Sequence, residues 1–242
     1  MLFFKQKKEI EFRHKVDLVR KLFPVYRATK LPMAWRKKLN KHIKENGFNL
    51  QNTSLCSGIH EFLNMSYVIT SVTDISITTN GDGENFEWGI PTAAISKMVG
   101  YDAVSHFESW QYGDHIELPV NTLKTVVKIQ TGWKVRLPKD YVLMLSPLTY
   151  NEENRFTAFS GILDPTISNE LNVPLFWHIL DGQTIIEAGT PLALLTPIKQ
   201  EKFDFLIKES DFEDEENRNR LIYSKAISFS KPSPYFLKKY NK

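Results

Sequence analysis

Two His-x-Glu pairs come nearest to a metal site among the 242 residues of this chain. They are His106 with Glu108 and His115 with Glu117. Side chains two residues apart lie on one face of a strand, so each pair could offer a nitrogen and an oxygen to one ion. Histidine and glutamate are also common on exposed strands, and no cysteine adjoins either pair. We therefore predict neither a metal site nor a cofactor.

Three other side chains could act as a base, an acid or a nucleophile. His178 lies in an aromatic run, where a histidine is more often a hydrogen-bonded core residue than a base. Asp164 precedes Pro165 and could cap that turn as readily as it could catalyse. The single Cys56 has no cationic neighbour in sequence, and it excludes an internal disulfide. No phosphate-binding loop, nucleophile elbow or zinc-protease motif occurs, so we predict no catalysis.

The first 50 residues are rich in Lys and Arg, although the net charge of the whole chain is only +3. Six of these residues are predicted to form an interaction arm: Arg27, Lys30, Trp35, Arg36, Lys37 and Lys38. Cations mixed with an aromatic ring could contact nucleic acid, an anionic membrane surface or an acidic protein, and they could equally form a solvated helix face. Nucleic acid is therefore a candidate partner of this arm.

The elements that must position these residues are mainly strands. Short apolar runs closed by Pro, Gly, Asp or Asn fill residues 132–198, which is typical of strands joined by loops. Trp133 and Val135 alternate with Lys134 and Arg136, so one face of that strand should be buried and the other basic. The pattern predicts a mainly β (α+β) fold, a bent β-domain with N-terminal and C-terminal helical extensions.

Helices are predicted towards the two ends. Amphipathic spacing indicates helices over residues 9–23 and 33–45, and the charged stretch 204–223 indicates a partly exposed helix. The predicted domains are a basic helical extension (1–50), a β-rich core (51–200) and a charged helix with an extended tail (201–242). No apolar run is long enough to span a bilayer, and the first residues lack the apolar core of a signal peptide. We expect no membrane span and no export.

Three segments in the later half follow one another in a known order: Pro138 to Pro147, Gly161 to Asp164 and Glu187 to Leu195. They resemble the β-clip core of the dUTPase and dCTP deaminase superfamily. The resemblance implies a β-clip over residues 132–198. It also implies a ligand site near Ser146, Asp164 and Trp177.

The chain departs from that superfamily where the chemistry would take place. Leu148-Thr149-Tyr150 follows Pro147, where dUTPases have an Arg-Ser-Ser that binds phosphates. Leu194 replaces the glutamine that reads the pyrimidine. Asp164 is retained, but one carboxylate cannot hold a magnesium-bound triphosphate without cationic or backbone partners. The resemblance therefore implies the fold without the catalysis.

A longer pattern extends over residues 24 to 205. Its features are Ala34 to Lys37, Cys56 to Ile59, Gly132-Trp133, Leu145 to Pro147, Phe156 to Asp164, Asn172 to Pro174 and Ala188 to Pro191. This pattern resembles a group of uncharacterised proteins of tailed bacteriophages, related to a bacterial domain of unknown function. It implies a phage origin and no particular activity.

These observations predict a phage-encoded, non-catalytic binding or structural protein. It would be a virion component or an accessory protein that docks through its extensions, in the virion or the host cytoplasm. Its partners would be protein subunits, in a homo-oligomer or a virion assembly. One alternative is a divergent dUTPase-like enzyme that binds or hydrolyses nucleotides, and another is an inhibitor of a host defence protein.

Overall fold

The computed structural model describes residues 9–46, 53–91 and 102–227. The chain divides into one unit, Met1–Gln200, and a second unit, Glu201–Lys242. In the described ranges, no helix is both long and apolar enough to cross a membrane. The extended tail predicted for the C-terminus lies beyond residue 227, outside the described residues.

Strands dominate the described part of the first unit. They are β1 (Glu11–Arg13), β2 (Tyr26–Arg27), β3 (Tyr67–Thr70), β4 (Ile75–Asn80), β5 (Phe86–Gly89), β6 (Val104–Phe107), β7 (Val126–Arg136), β8 (Tyr141–Ser146), β9 (Phe156–Ala158), β10 (Gly161–Leu163), β11 (Glu170–Trp177), β12 (Asp181–Ile186) and β13 (Pro191–Lys199). The α-helices are α1 (Asp17–Leu22), α2 (Ala34–Asn46), α3 (Ser57–Met65) and, in the second unit, α4 (Phe212–Ile227). The predicted mainly β fold with helices towards both ends is confirmed.

The strands form three antiparallel sheets. Sheet A has the order β1-β7-β11-β9, with β6 also paired to β7. Sheet B has the order β10-β8-β13-β3-β2, and sheet C has the order β12-β4-β5. The three segments that carry the superfamily resemblance supply β8, β10 and β13, which are neighbours in sheet B.

The long strand β7 shows how the sequence pattern builds the core. Trp133 and Val135 are buried, whereas Lys134 and Arg136 are exposed, as their alternation predicts. The buried face of β7 joins one hydrophobic core to which all three sheets contribute. Each fully buried aliphatic or aromatic side chain there stabilises the fold by roughly 1.5–3 kcal/mol.

The helix predicted over residues 9–23 is wrong in its first half. Residues Glu11–Arg13 form β1, which pairs with β7, and α1 begins only at Asp17. Strand pairing prevails because it places Phe12 opposite Val135 and lets its ring pack edge-on against Tyr67, with 5.2 Å between ring centroids. Both β1 and β2 join sheets of the first unit, and a domain boundary near residue 50 stays a prediction.

Two other predicted elements differ in their agreement with the structure. The helix predicted over residues 33–45 is confirmed as α2. The helix predicted over 204–223 begins only at Phe212, and residues 201–211 form neither helix nor strand. The acidic side chains of Glu213 and Asp214 then lie in the first turn of α4, where the helix dipole favours negative charge.

Candidate functional site

The three residues predicted to bind a ligand lie in different parts of the sheets. Ser146 ends β8, Asp164 follows β10, and Trp177 ends β11 in sheet A. Because Gly161 lies opposite Leu145 in the antiparallel pair of β8 and β10, Asp164 lies beside the other end of β8. The offset from Ser146 is roughly 13 Å along the strand, at about 3.3 Å per residue. The fold therefore separates Ser146 from Asp164.

Asp164 and Trp177 each have a structural partner. The backbone N–H and the hydroxyl of Thr166 donate to the Asp164 carboxylate at 2.9 and 2.7 Å. These bonds lower the pKa of Asp164, the hydroxyl contributing most, and they cap the turn. Trp177 is buried and stacks on Phe156, with an 11° angle between the rings. Their role in ligand binding, and that of Ser146, stays a prediction.

His178 is held between two threonine hydroxyls. Its Nδ1 lies 3.0 Å from Thr122 Oγ1, and its Nε2 lies 2.8 Å from Thr157 Oγ1. Burial lowers the pKa of His178 below its ordinary value of 6.5. This geometry supports the reading of His178 as a hydrogen-bonded structural residue.

The free energy of unfolding should fall as the pH drops below 6.5, the ordinary pKa of histidine. Since the folded state holds His178 at a lower pKa, the unfolded chain binds the proton more readily, and stability is fully present only above 6.5. We expect His178→Gln to be less stable at pH 7.5 and to lose less stability on acidification. Urea denaturation at a series of pH values tests this. Equal pH dependence in both proteins would contradict it.

The interaction arm is bound to the rest of the first unit. Its contacts run from Arg27 to the Asn64 carbonyl (3.0 Å), from Trp35 Nε1 to the Tyr150 carbonyl (3.0 Å), from Arg36 to the Ser54 carbonyl (2.7 Å) and from Lys38 to Glu152 (3.0 Å). Among the described residues, Lys30 and Lys37 make no such contact. Because most of its polar groups are already used, the arm lies against the body, and its contact with nucleic acid stays a prediction.

The two His-x-Glu pairs have local partners. His106 Nε2 lies 2.9 Å from Glu108 Oε1, and His115 Nε2 donates to the Trp110 carbonyl at 2.7 Å. Within the ranges that the structure describes, no group of three or more His, Cys, Asp or Glu residues could hold a metal ion.

A polar pocket of about 450 Å³ lies on the outer face of sheet A. Its walls are Arg13, His14 and Lys15 at the end of β1, Gln130, Gly132 and Lys134 of β7, and Glu170 and Asn172 of β11. The strand residues belong to the outward set, because the residues between them are buried. Gly132 supplies no side chain and has a positive φ of 67°, so the strand leaves a hollow at this position.

The electrostatics of this polar pocket come from Lys and Arg. Burial is the main cause that lowers the pKa of His14, whose Nδ1 accepts the Val16 N–H at 3.1 Å. Burial therefore favours the neutral form of this imidazole. Arg13 pairs with Glu11, and Lys134 lies 3.4 Å from Glu170.

The sequence alone did not identify the polar pocket. The alternation along β7 predicted an exposed basic face with Lys134, which is half of the site. A helix over residues 9–23 gives no reason to expect Arg13 and Lys15 beside β7, whereas the pairing of β1 with β7 places Arg13 opposite Lys134, and Lys15 lines the same pocket. The opposite charges of Glu170 and Lys134 are a signal for a cross-strand ion pair, which becomes useful only when β7 and β11 are known to be neighbours.

No protein-family model and no curated protein matches the chain. Among solved structures, the chain is similar to a mutant dUTPase from phage phi11 of S. aureus, with a TM-score of 0.35 and 12% identity, covering 68% of this chain and 93% of that chain. It is also similar to a mutant dUTPase of Staphylococcus bacteriophage 80alpha with dUpNHpp, with a TM-score of 0.32 and 13% identity, covering 68% and 82%. Both are similarities of fold.

Proposed function

We propose that this protein is a phage-encoded, non-catalytic binding protein, a virion component or accessory protein that docks onto protein subunits through segments outside its sheets. The observation that carries the proposal is a run of large apolar side chains in the second unit, each more than four-fifths exposed: Phe203, Phe205, Leu206, Ile207 and Phe212. Exposed apolar groups this close together are typical of interaction sites.

The geometry of this apolar run suits strand addition. Residues 201–211 form neither helix nor strand, and in an extended conformation Phe203, Phe205 and Ile207 would lie on one face. Burying these three side chains would contribute roughly 5–9 kcal/mol before the costs of association. A partner with an open sheet edge could take them up by backbone pairing.

A second copy of the chain is the partner that the surface of the first unit favours. Strand β10 is an edge of sheet B, and its Ile162 is exposed. Ile167, just after β10, is exposed as well. An unpaired edge flanked by exposed isoleucines is the kind of surface to which an extended apolar segment adds.

The side chains considered for chemistry support the non-catalytic part of the proposal. Asp164 caps a turn, and His178 is held by two threonines. Each uses its polar atoms for local structure, which suits a protein that binds rather than one that reacts.

The proposal predicts that Phe203→Ser, Phe205→Ser and Ile207→Ser together convert an oligomer into a monomer. The serines remove the apolar surface that association would bury. Sedimentation equilibrium of the full chain over a range of concentrations measures this directly. The control replaces Asp204 and Lys208 by serine in the same stretch and should leave the oligomer intact.

Two results would contradict the docking proposal. One is a wild-type chain that stays monomeric at the highest concentration, and the other is a triple variant that still assembles. Mass spectrometry of purified phage particles distinguishes a virion component from an accessory protein. Detection of this chain in the particles supports a virion component. Its absence from the particles overturns that role in favour of an accessory one.

A further inference from the structure

The lining of the polar pocket in sheet A indicates the kind of ligand that it suits. Every wall residue is charged, polar or glycine. Because no wall residue has a large apolar side chain, specific binding here would rely mainly on charge and hydrogen bonds. The ring in the walls is the imidazole of His14, which is buried and already packs against Trp133.

The charges of the polar pocket favour an anion. Arg13, Lys15 and Lys134 line it, against one carboxylate, that of Glu170. Arg13 uses Nε and Nη2 to bind Glu11, so Nη1 remains available among the contacts described. Lys15 is exposed and has no ion pair within the described residues. It is the cation most available to a ligand.

A ligand could replace the carboxylate partners in the ion pairs of this pocket. The side chains of Arg13 and Glu11 are 51% and 50% exposed, and those of Lys134 and Glu170 are 53% and 57% exposed. Exposed pairs of this kind stabilise a protein only weakly. A phosphate group offers several oxygens to the same cations and can replace the carboxylate partners.

Two amides lie side by side across the strands. Asn172 of β11 is the direct partner of Gln130 of β7. Each amide can both donate and accept a hydrogen bond, which matches the hydroxyl groups of a sugar or polyol. The volume of about 450 Å³ falls within the range of small-molecule sites, roughly 300–1,000 Å³.

We propose that the polar pocket binds a compact phosphate ester of a sugar or polyol. Arg13, Lys15 and Lys134 hold the phosphate, and Gln130 and Asn172 bind the hydroxyl groups. Gly132 lets the ligand approach the backbone of β7. This site is independent of the docking segment of the second unit.

Isothermal titration of the full chain with ribose 5-phosphate tests the proposal. We expect binding that weakens with salt and no binding of ribose. Lys15→Gln should reduce the affinity about tenfold, because a charge-assisted contact to the phosphate is lost. Lys134→Gln should do the same. Lys139→Gln, the same change of charge on the exposed turn after β7, should leave the affinity within about twofold.

Four results would overturn the assignment. The first is no binding of ribose 5-phosphate by the wild-type chain. The second is binding that neither Lys15→Gln nor Lys134→Gln reduces, in variants shown by thermal unfolding to be folded. The third is equal affinity for inorganic phosphate, which would remove the role of the two amides. The fourth is binding of dUMP or dUTP without ribose 5-phosphate, which would mean that a base is recognised.

Discussion

Trp177→Ala should reduce the free energy of unfolding by about 3–5 kcal/mol, the cost typical of deleting a buried tryptophan. The Trp177 side chain is only 1% exposed. It stacks on Phe156, with 6.2 Å between ring centroids, and belongs to the core shared by the three sheets. Removing it leaves a cavity that the surrounding strands cannot fill without breaking their register. Chemical denaturation followed by circular dichroism measures the change.

Trp110→Ala is the matched control for this substitution. Trp110 is 65% exposed, so the same deletion should change the stability by no more than about 0.5 kcal/mol. If Trp177→Ala proved as mild as the control, Trp177 would not be a core residue. Its predicted role as a ligand-binding residue would then gain weight.

Gly113→Ala should also be strongly destabilising, by about 1–3 kcal/mol or more. A Cβ at Gly113 would lie 2.3 Å from the Lys124 carbonyl oxygen and 2.8 Å from the Lys124 Cα. Both are backbone atoms and cannot move aside as a flexible side chain could. The neighbouring Tyr112 packs against Phe159 and Phe176, so a shift at Gly113 would disturb this aromatic cluster as well. Thermal and urea unfolding measure the loss.

Gly161→Ala provides the comparison for Gly113→Ala. A Cβ at Gly161 would meet no atom within 4 Å. We therefore expect a change within about 0.5 kcal/mol at Gly161, since only the intrinsic difference between glycine and alanine remains. Equal effects at both glycines would show that the close approach to Lys124 does not constrain the fold.

Much of the β architecture could be predicted from the sequence because it depends on patterns of neighbouring residues. The period-2 alternation around Trp133 separates a buried face from a solvent face without reference to any other strand. The sequence Asn80-Gly81-Asp82-Gly83 at the end of β4 is typical of a hairpin turn by its own chemistry, and β4 does pair with β5.

Residues 9–23 show where local patterns fail. Apolar residues recur there at spacings that suit a helix, yet Glu11–Arg13 is a strand. The deciding interaction is the pairing with β7, more than a hundred residues away in sequence, and no local period reports it. Local composition also gave the wrong start for α4. The charged stretch 204–223 predicted a helix from residue 204, whereas α4 begins at Phe212.

The candidate site was harder to predict than the fold. Asp164 and His178 were candidates for catalysis because carboxylates and imidazoles are reactive groups. The type of a residue does not show which groups its side chain contacts in the folded protein. Thr166 is the hydrogen-bond partner of Asp164, and Thr122 and Thr157 are those of His178, which the spacing along the sequence does not show. The residues that line the polar pocket lie far apart in the sequence, and the pairing of β1 and β11 with β7 brings them together.

By itself, the sequence determined that the protein is mainly β, that β7 has one buried and one basic face, and that helices lie towards both ends. Each of these follows from the chemistry of neighbouring residues. Only the tertiary structure decided that Arg13, Lys15 and Lys134 line one pocket. It also decided that Ser146 and Asp164 lie apart and that a methyl group at Gly113 would clash with Lys124. Those outcomes depend on strand register and close packing between distant segments, which set distances that spacing along the chain does not contain.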